Sequence, residues 1–178
     1  MAKDPKIYLE YPYFLTLTVV GHTDFFIRQA YAQRLMDCLQ FCQANRGLEI
    51  YSYCLMTSHL HLIAGGGGGK PVNEILRNMK SYSAKMLMQD MREHVAESRR
   101  PWLESRFRYL ANIRAKDTEL QFWERDNYPE AVLTDQFFRQ KERYIHENPV
   151  KAGFVMRAED WYYSSACPEG PLKVLRMD

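Results

Sequence analysis

The chain has 178 residues, 46% of them hydrophobic and 26% charged, with a formal net charge of +2 and a pI near 8.3. That length fits one domain, 1–178, around one core, and the composition is that of a globular chain rather than a disordered or membrane-embedded one. A charge so mild excludes a generally cationic coat, so any nucleic-acid surface has to come from local clustering.

Cys38, Cys42, Cys54 and Cys167 lack a paired zinc spacing, and Cys38 and Cys42, one helical turn apart, suit small apolar groups in a reduced protein. No charged-then-apolar leader opens the chain and no apolar run approaches spanning length. The expectation is a cytoplasmic protein with no membrane contact.

Tyr13 to Val20 is rich in β-branched and aromatic residues and predicts a first strand. Apolar positions at Ala30, Leu35, Cys38, Leu39 and Cys42 predict a helix over Ile27 to Cys42, stopped by Asn45-Arg46-Gly47. Leu48 to Met56 alternates like a second strand, and Ser58 to Ala64 reads as a third, joined to it around Thr57-Ser58. On that third strand, His59 and His61 leave the same face while Leu60 and Leu62 turn to the core. Two adjacent imidazoles can hold a divalent cation if a third ligand arrives from elsewhere. They can equally be two ordinary half-buried histidines.

Gly65 to Gly69 predicts a flexible loop tip. Lys70 follows, but Ala64 and Pro71 stand where a phosphate loop needs Gly and Ser or Thr, so a nucleotide site is not expected. Val72 to about Ala96 is the clearest helix, with Val72, Ile75, Leu76, Met79, Met86 and Leu87 as its stripe and Pro71 in its first turn. Arg77 and Lys80 share another face of it. They suit DNA phosphates, or a solvated surface.

Ser98 to Lys116 is the most basic region. Arg99, Arg100, Arg106, Arg108, Arg114 and Lys116 alternate there with Trp102, Phe107 and Tyr109. Guanidiniums for phosphates and rings for bases suit a single strand of nucleic acid, although aromatics in the core and wet arginines would explain the same pattern. Leu120 to Trp123 and Ala131 to Leu133 look like short strands. Thr134 can cap a helix from Asp135 onward, on which Tyr144 and Asn148 stack four apart and His146 points elsewhere. Asn148-Pro149 predicts that this helix ends and a further turn begins, closed by Gly153. Trp161 to Ser165 is apolar enough to pack back on the domain.

The segments LMTSHLHLI (55–63), LQFWERDNYPEAV (120–132), YIHENPVKAGFV (144–155) and DWYYSSA (160–166) resemble the HUH single-tyrosine transposases, in particular the REP-associated tyrosine transposases. Thr57-Ser58 stands where such proteins usually carry Pro-Asn. The resemblance spans most of the chain, with a core at about 12–156 and a tail at 157–178. It implies an α+β, ferredoxin-like βαββαβ antiparallel sheet, the histidines on a central strand and the tyrosine on a C-terminal helix. It also implies nicking and rejoining of single-stranded DNA at hairpin-bearing repeats, by a monomer or homodimer. Carried over, Tyr144 is the nucleophile, His59 and His61 are metal ligands, and Asn148 is the third. The implied metal is Mg²⁺ or Mn²⁺. An unperturbed phenol has a pKa near 10, so Tyr144 needs such help at neutral pH. Two rivals remain: a ferredoxin-like module that binds single-stranded nucleic acid without cutting it, and a structural zinc site using Cys54 with His59 and His61.

Overall fold

The computed structural model describes residues 11–94, 96–114 and 121–177. Lys116 and Leu120 lie outside the described residues. Four antiparallel strands, β1 (Tyr13–Thr18), β2 (Leu48–Leu55), β3 (His59–Gly66) and β4 (Glu130–Ala131), form one sheet in the order β2-β3-β1-β4. Helix α1 (Gln29–Arg46) joins β1 to β2, and α2 (Val72–Glu93) with α3 (Arg100–Arg114) joins β3 to β4. This is the ferredoxin-like βαββαβ arrangement in an α+β fold, followed by a further helix, α4 (Asp135–Lys151). No helix among the described residues is long and apolar enough to cross a membrane.

The sheet divides the apolar interior in two. Leu15, Leu17, Leu60, Leu62, Ile50 and Leu55 face α1 and α2, joined by Leu103, Phe107 and Leu110 of α3. Phe14, Cys54, Met56 and Ile63 leave the other face and meet Val132 and Ile145 beneath α4. Alternation along β1 and β3 produces this division, since successive side chains point to opposite faces. Along β2 the alternation is interrupted by a bulge between Ile50 and Ser52. The extra residue reverses the parity, so Tyr53 and Leu55 face α1 while Ser52 and Cys54 face α4.

Helix ends follow the chemistry that the sequence offers. Gly47, at φ 79°, ends α1, and its N–H donates to the Cys42 carbonyl. Thr134 Oγ1 accepts from the Phe137 N–H at the start of α4. Cys38 and Cys42 are buried against α2, as small apolar groups would be. The tail returns along β2: Leu55 N–H donates to Tyr163 O at 2.8 Å and Ser165 N–H to Tyr53 O at 2.9 Å.

Four expectations need correcting. Asn148-Pro149 does not end α4, which continues to Lys151 with Pro149 inside it. Proline removes one N–H, and in the last turn that forfeits a single bond while the buried ring packs. The pair over 131–133 shortens to Glu130–Ala131, and Trp123 contributes only an isolated bridge to Val19. Ser98 to Lys116, given no element above, contains α3. The glycine run is not all loop: Gly65 and Gly66 pair with Glu49 and Leu48 at the end of β3.

At Gly66 a Cβ would collide with the Lys70 carbonyl, whereas Gly68, at φ 63°, has open space around it. Gly66→Ala should therefore cost about 3 kcal/mol through overpacking. Gly68→Ala should cost only about 1 kcal/mol, from its positive φ. Urea denaturation of the two variants checks the order; equal costs would return the whole run to a loose tip.

Candidate active site

His59 and His61 leave β3 toward α4 with ring centroids 4.6 Å apart. The β1–β3 register sets Thr16 opposite His61, with Thr16 Oγ1 3.0 Å from His61 Nδ1. Ser58 Oγ lies 3.1 Å from His59 Nδ1. With both Nδ1 atoms occupied, Nε2 is the coordinating atom left on each ring. His61 is only 4% exposed, and its buried Nε2 has no hydrogen-bond partner among the described residues. A buried polar atom in that state is costly, and a cation would supply the missing partner.

Burial, followed by the neighbouring His59 and Lys141 charges, pushes His61 down to about 3. Burial, then His22, also lowers His59. Both rings are thus neutral near pH 7, the form that binds a metal. Among the described residues no three His, Cys, Asp or Glu side chains group closely enough to hold a metal ion. Among the described residues, a third protein ligand would be of another type, such as an amide.

Helix α4 brings Tyr144 to the histidines. Its ring stands edge-on to His61 at 5.2 Å and to Phe14 at 5.9 Å. Tyr144 remains 43% exposed. Asn148, one turn later, donates from Nδ2 to Tyr144 O at 3.3 Å, and its Oδ1 is the atom that could accept or coordinate. Lys141, one turn earlier, lies 4.2 Å from the Phe14 ring centroid and 2.6 Å from Glu130 Oε1. Sequence reasoning missed Phe14, Thr16, Ser58 and Lys141. Lys141 stands three residues before Tyr144 on one helix face, which is a usable signal; the strand residues needed the register.

The candidate cations separate into two groups. Lys80 Nζ donates to Glu124 O at 2.6 Å and Asn127 Oδ1 at 2.7 Å, and burial brings it down to about 8. Arg99 binds both Glu97 oxygens at 3.0 Å and the Asp24 carbonyl at 2.8 Å. Arg100 donates to His94 O at 2.6 Å. Arg106 donates to Thr23 Oγ1 at 2.8 Å and Gly21 O at 2.7 Å. Those four cations tie loops together, whereas Arg77 and Arg108 are exposed. Cys54 lies opposite His61 in the register, and burial pushes its thiol up to about 12.

This arrangement can be set beside known proteins. A family model described as "Transposase IS200 like" matches residues 13–148, which include His59, His61, Tyr144 and Asn148. The chain belongs to the IS200-like transposase family. A Haemophilus influenzae protein named as a REP-associated tyrosine transposase is 22% identical over 153 residues, covering 86% of this chain and 78% of that protein. A solved REP-associated tyrosine transposase bound to a REP hairpin superposes with a TM-score of 0.65 at 17% identity. That match covers 93% of this chain and 82% of the other, and it establishes a shared fold.

Two measurements follow from this transposase's geometry. His61 ordinarily titrates near 6.5 and does so near 3 when folded. The unfolded chain therefore binds the proton first, so this contribution to stability is present above 6.5 and is lost as pH falls toward 3. In chelator, urea unfolding at about pH 7.5 and about pH 5 should give a drop smaller by about 2 kcal/mol in His61→Gln than in wild type. Equal drops would contradict the buried, neutral ring. Secondly, Arg106→Gln should destabilise by about 1–3 kcal/mol, because it strands the Thr23 and Gly21 oxygens. Arg108→Gln should leave the melting temperature unchanged, as an exposed substitution does.

Proposed function

We propose that this transposase nicks and rejoins single-stranded DNA through Tyr144, aided by a divalent ion on His59, His61 and Asn148. The observation that carries the reading is the orphaned, buried Nε2 of His61 directly beside an exposed tyrosine ring. Membership of the family supports the reaction class. The relative bound to a REP hairpin supports hairpin-bearing single strands as the substrate.

The ion would be held by the free ring nitrogens and the Asn148 carbonyl oxygen. Mg²⁺ or Mn²⁺ there would polarise the scissile phosphate and stabilise the leaving oxygen. Tyr144 Oη forms a bond to phosphorus while the bond to the 3′-oxygen breaks, and the proton given up by the phenol balances the one taken up by the departing 3′-oxygen. The protein is left esterified to the 5′-phosphate and the other strand ends in a 3′-hydroxyl. Attack by a 3′-hydroxyl on that ester regenerates the DNA linkage, so no nucleotide cofactor is consumed. By accepting from Nδ1–H, the Thr16 and Ser58 hydroxyls would keep the rings in the coordinating tautomer. Arg77 and Arg108 are the exposed members of the candidate set for backbone phosphates. Neutralising both should flatten the salt dependence of DNA affinity.

The decisive test incubates the protein with labelled single strands carrying hairpins from its own genomic neighbourhood, plus Mg²⁺ or Mn²⁺, followed by denaturation. Wild type should yield a covalent adduct whose peptide contains Tyr144. Tyr144→Phe should bind DNA normally and form none. His59→Ala and His61→Ala should lower the rate by at least about 100-fold while staying folded. An adduct in the Phe variant would assign the chemistry to another tyrosine. DNA binding with no adduct in wild type would favour the non-cutting module.

A further inference from the structure

We infer that His146, clasped by Ser165 of the tail and Ser52 of β2, is a positioning residue that fixes the roll of α4 and with it the Tyr144 hydroxyl. The geometric part stands on packing alone; the consequence for rate rests on Tyr144 being the nucleophile.

Successive residues of a helix are about 100° apart around its axis. Ile145 is fully buried and points down at the sheet, so Tyr144 and His146 leave opposite flanks of α4. On one flank Tyr144 reaches His61 and Phe14 across β3 and β1. On the other, His146 Nε2 lies 2.8 Å from Ser165 Oγ and 3.3 Å from Ser52 Oγ, and the two hydroxyl oxygens are 3.2 Å apart. A helix resting on Ile145 as a pivot can roll unless both flanks are held.

The clasp has a fixed base. Tyr53 N–H donates to Ser165 Oγ at 3.0 Å, while Ser165 N–H donates to Tyr53 O at 2.9 Å. Ser165 is therefore strapped to β2 by its own backbone and side chain. Ser52 faces α4 only because the bulge after Ile50 reverses the parity of β2. A few residues earlier in the tail, Trp161 Nε1 donates to Leu55 O at 2.9 Å, and its ring stacks on Phe154 just beyond α4, centroids 5.4 Å apart. The opposite flank is held by Lys141 against Phe14 and Glu130. Those braces set the rotation from both sides.

The lever is long. A tyrosine hydroxyl sits about 9 Å from its helix axis, so a roll of about 10° carries it about 1.5 Å. Displacement on that scale costs on the order of 100-fold in rate when the reacting groups must be aligned.

The test compares His146→Ala, Ser165→Ala and His146→Gln with wild type in two measurements. The first is the Tyr144 ring resonance in a ¹³C-tyrosine NMR spectrum, assigned by its disappearance in Tyr144→Phe, and it needs neither DNA nor metal. Both Ala variants should shift that resonance away from its wild-type position, as the Phe14 and His61 ring currents change, and the Gln variant should restore it. The second is the adduct rate at saturating hairpin DNA beside the dissociation constant. The Ala variants should lose about 30- to 100-fold in rate with affinity changed less than about 2-fold, and the Gln variant should recover most of the rate. Should His146→Ala fail to fold, Ser165→Ala, which removes one hydroxyl, decides alone. Wild-type ring shifts in the Ala variants, or a Gln variant no better than Ala, would overturn the inference. If wild type forms no adduct, the nucleophile assignment has failed and the ring shifts by themselves decide the positioning.

Discussion

The antiparallel register of β1 on β3 is the constraint from which the site follows. It pairs Thr16 with His61 and Thr18 with His59, and so places Phe14 and Thr16 on the face that carries the imidazoles. A slip of one residue would move every one of those side chains to the opposite face. The leucines between them would then lose their burial against α1 and α2. The same apolar burial that holds the core thus also holds the histidines in place. Because β3 is flanked by both β2 and β1, the backbone that carries the rings cannot shift without disturbing ladders on two sides.

Around that strand the site combines two environments. The histidines are desolvated and neutral, with Thr16 and Ser58 on their Nδ1 atoms. The tyrosine, brought in on α4, keeps nearly half its surface open. In the proposed reaction such a division would shield coordinating atoms from water and competing partners while leaving the tyrosine accessible. Several of the candidate cations also hold the fold together. Arg99 and Arg106 tie α3 and the segment before it to residues 21–24, and Lys80 holds the segment from Glu124 to Asn127.

Much of the fold was legible because local and long-range demands agree. The Leu60/Leu62 and His59/His61 alternation identifies the faces of β3, Thr134 identifies the start of α4, and Gly47 the end of α1. Reasoning failed where the deciding contact is distant in sequence. Pro149 sits at a position where local preference predicts a break, and packing beneath it carries the helix onward. Gly66 lies in a polar-looking run, but it is a strand residue whose missing side chain lets the Lys70 carbonyl approach. Arg99, Arg100 and Arg106 also make internal hydrogen bonds, to residues 21–24, His94 and Glu97, that periodicity does not reveal.

The sequence alone determined the family resemblance, the placement of His59 and His61 on one strand face, and the spacing of Tyr144 and Asn148 on one helix face. These are properties of single elements with fixed periods of 2 and 3.6 residues. Tertiary structure decided which face of the sheet α4 covers, that Tyr144 stands beside His61, and that Thr16 is the partner of its ring. It also decided that His146 meets Ser52 and Ser165, contacts that depend on the β2 bulge and on the path of the tail. Those contacts join residues 45 to 94 positions apart, apart from His146 and Ser165 at 19. No local pattern encodes such separations. They exist only once burial of both sheet faces has brought the segments together.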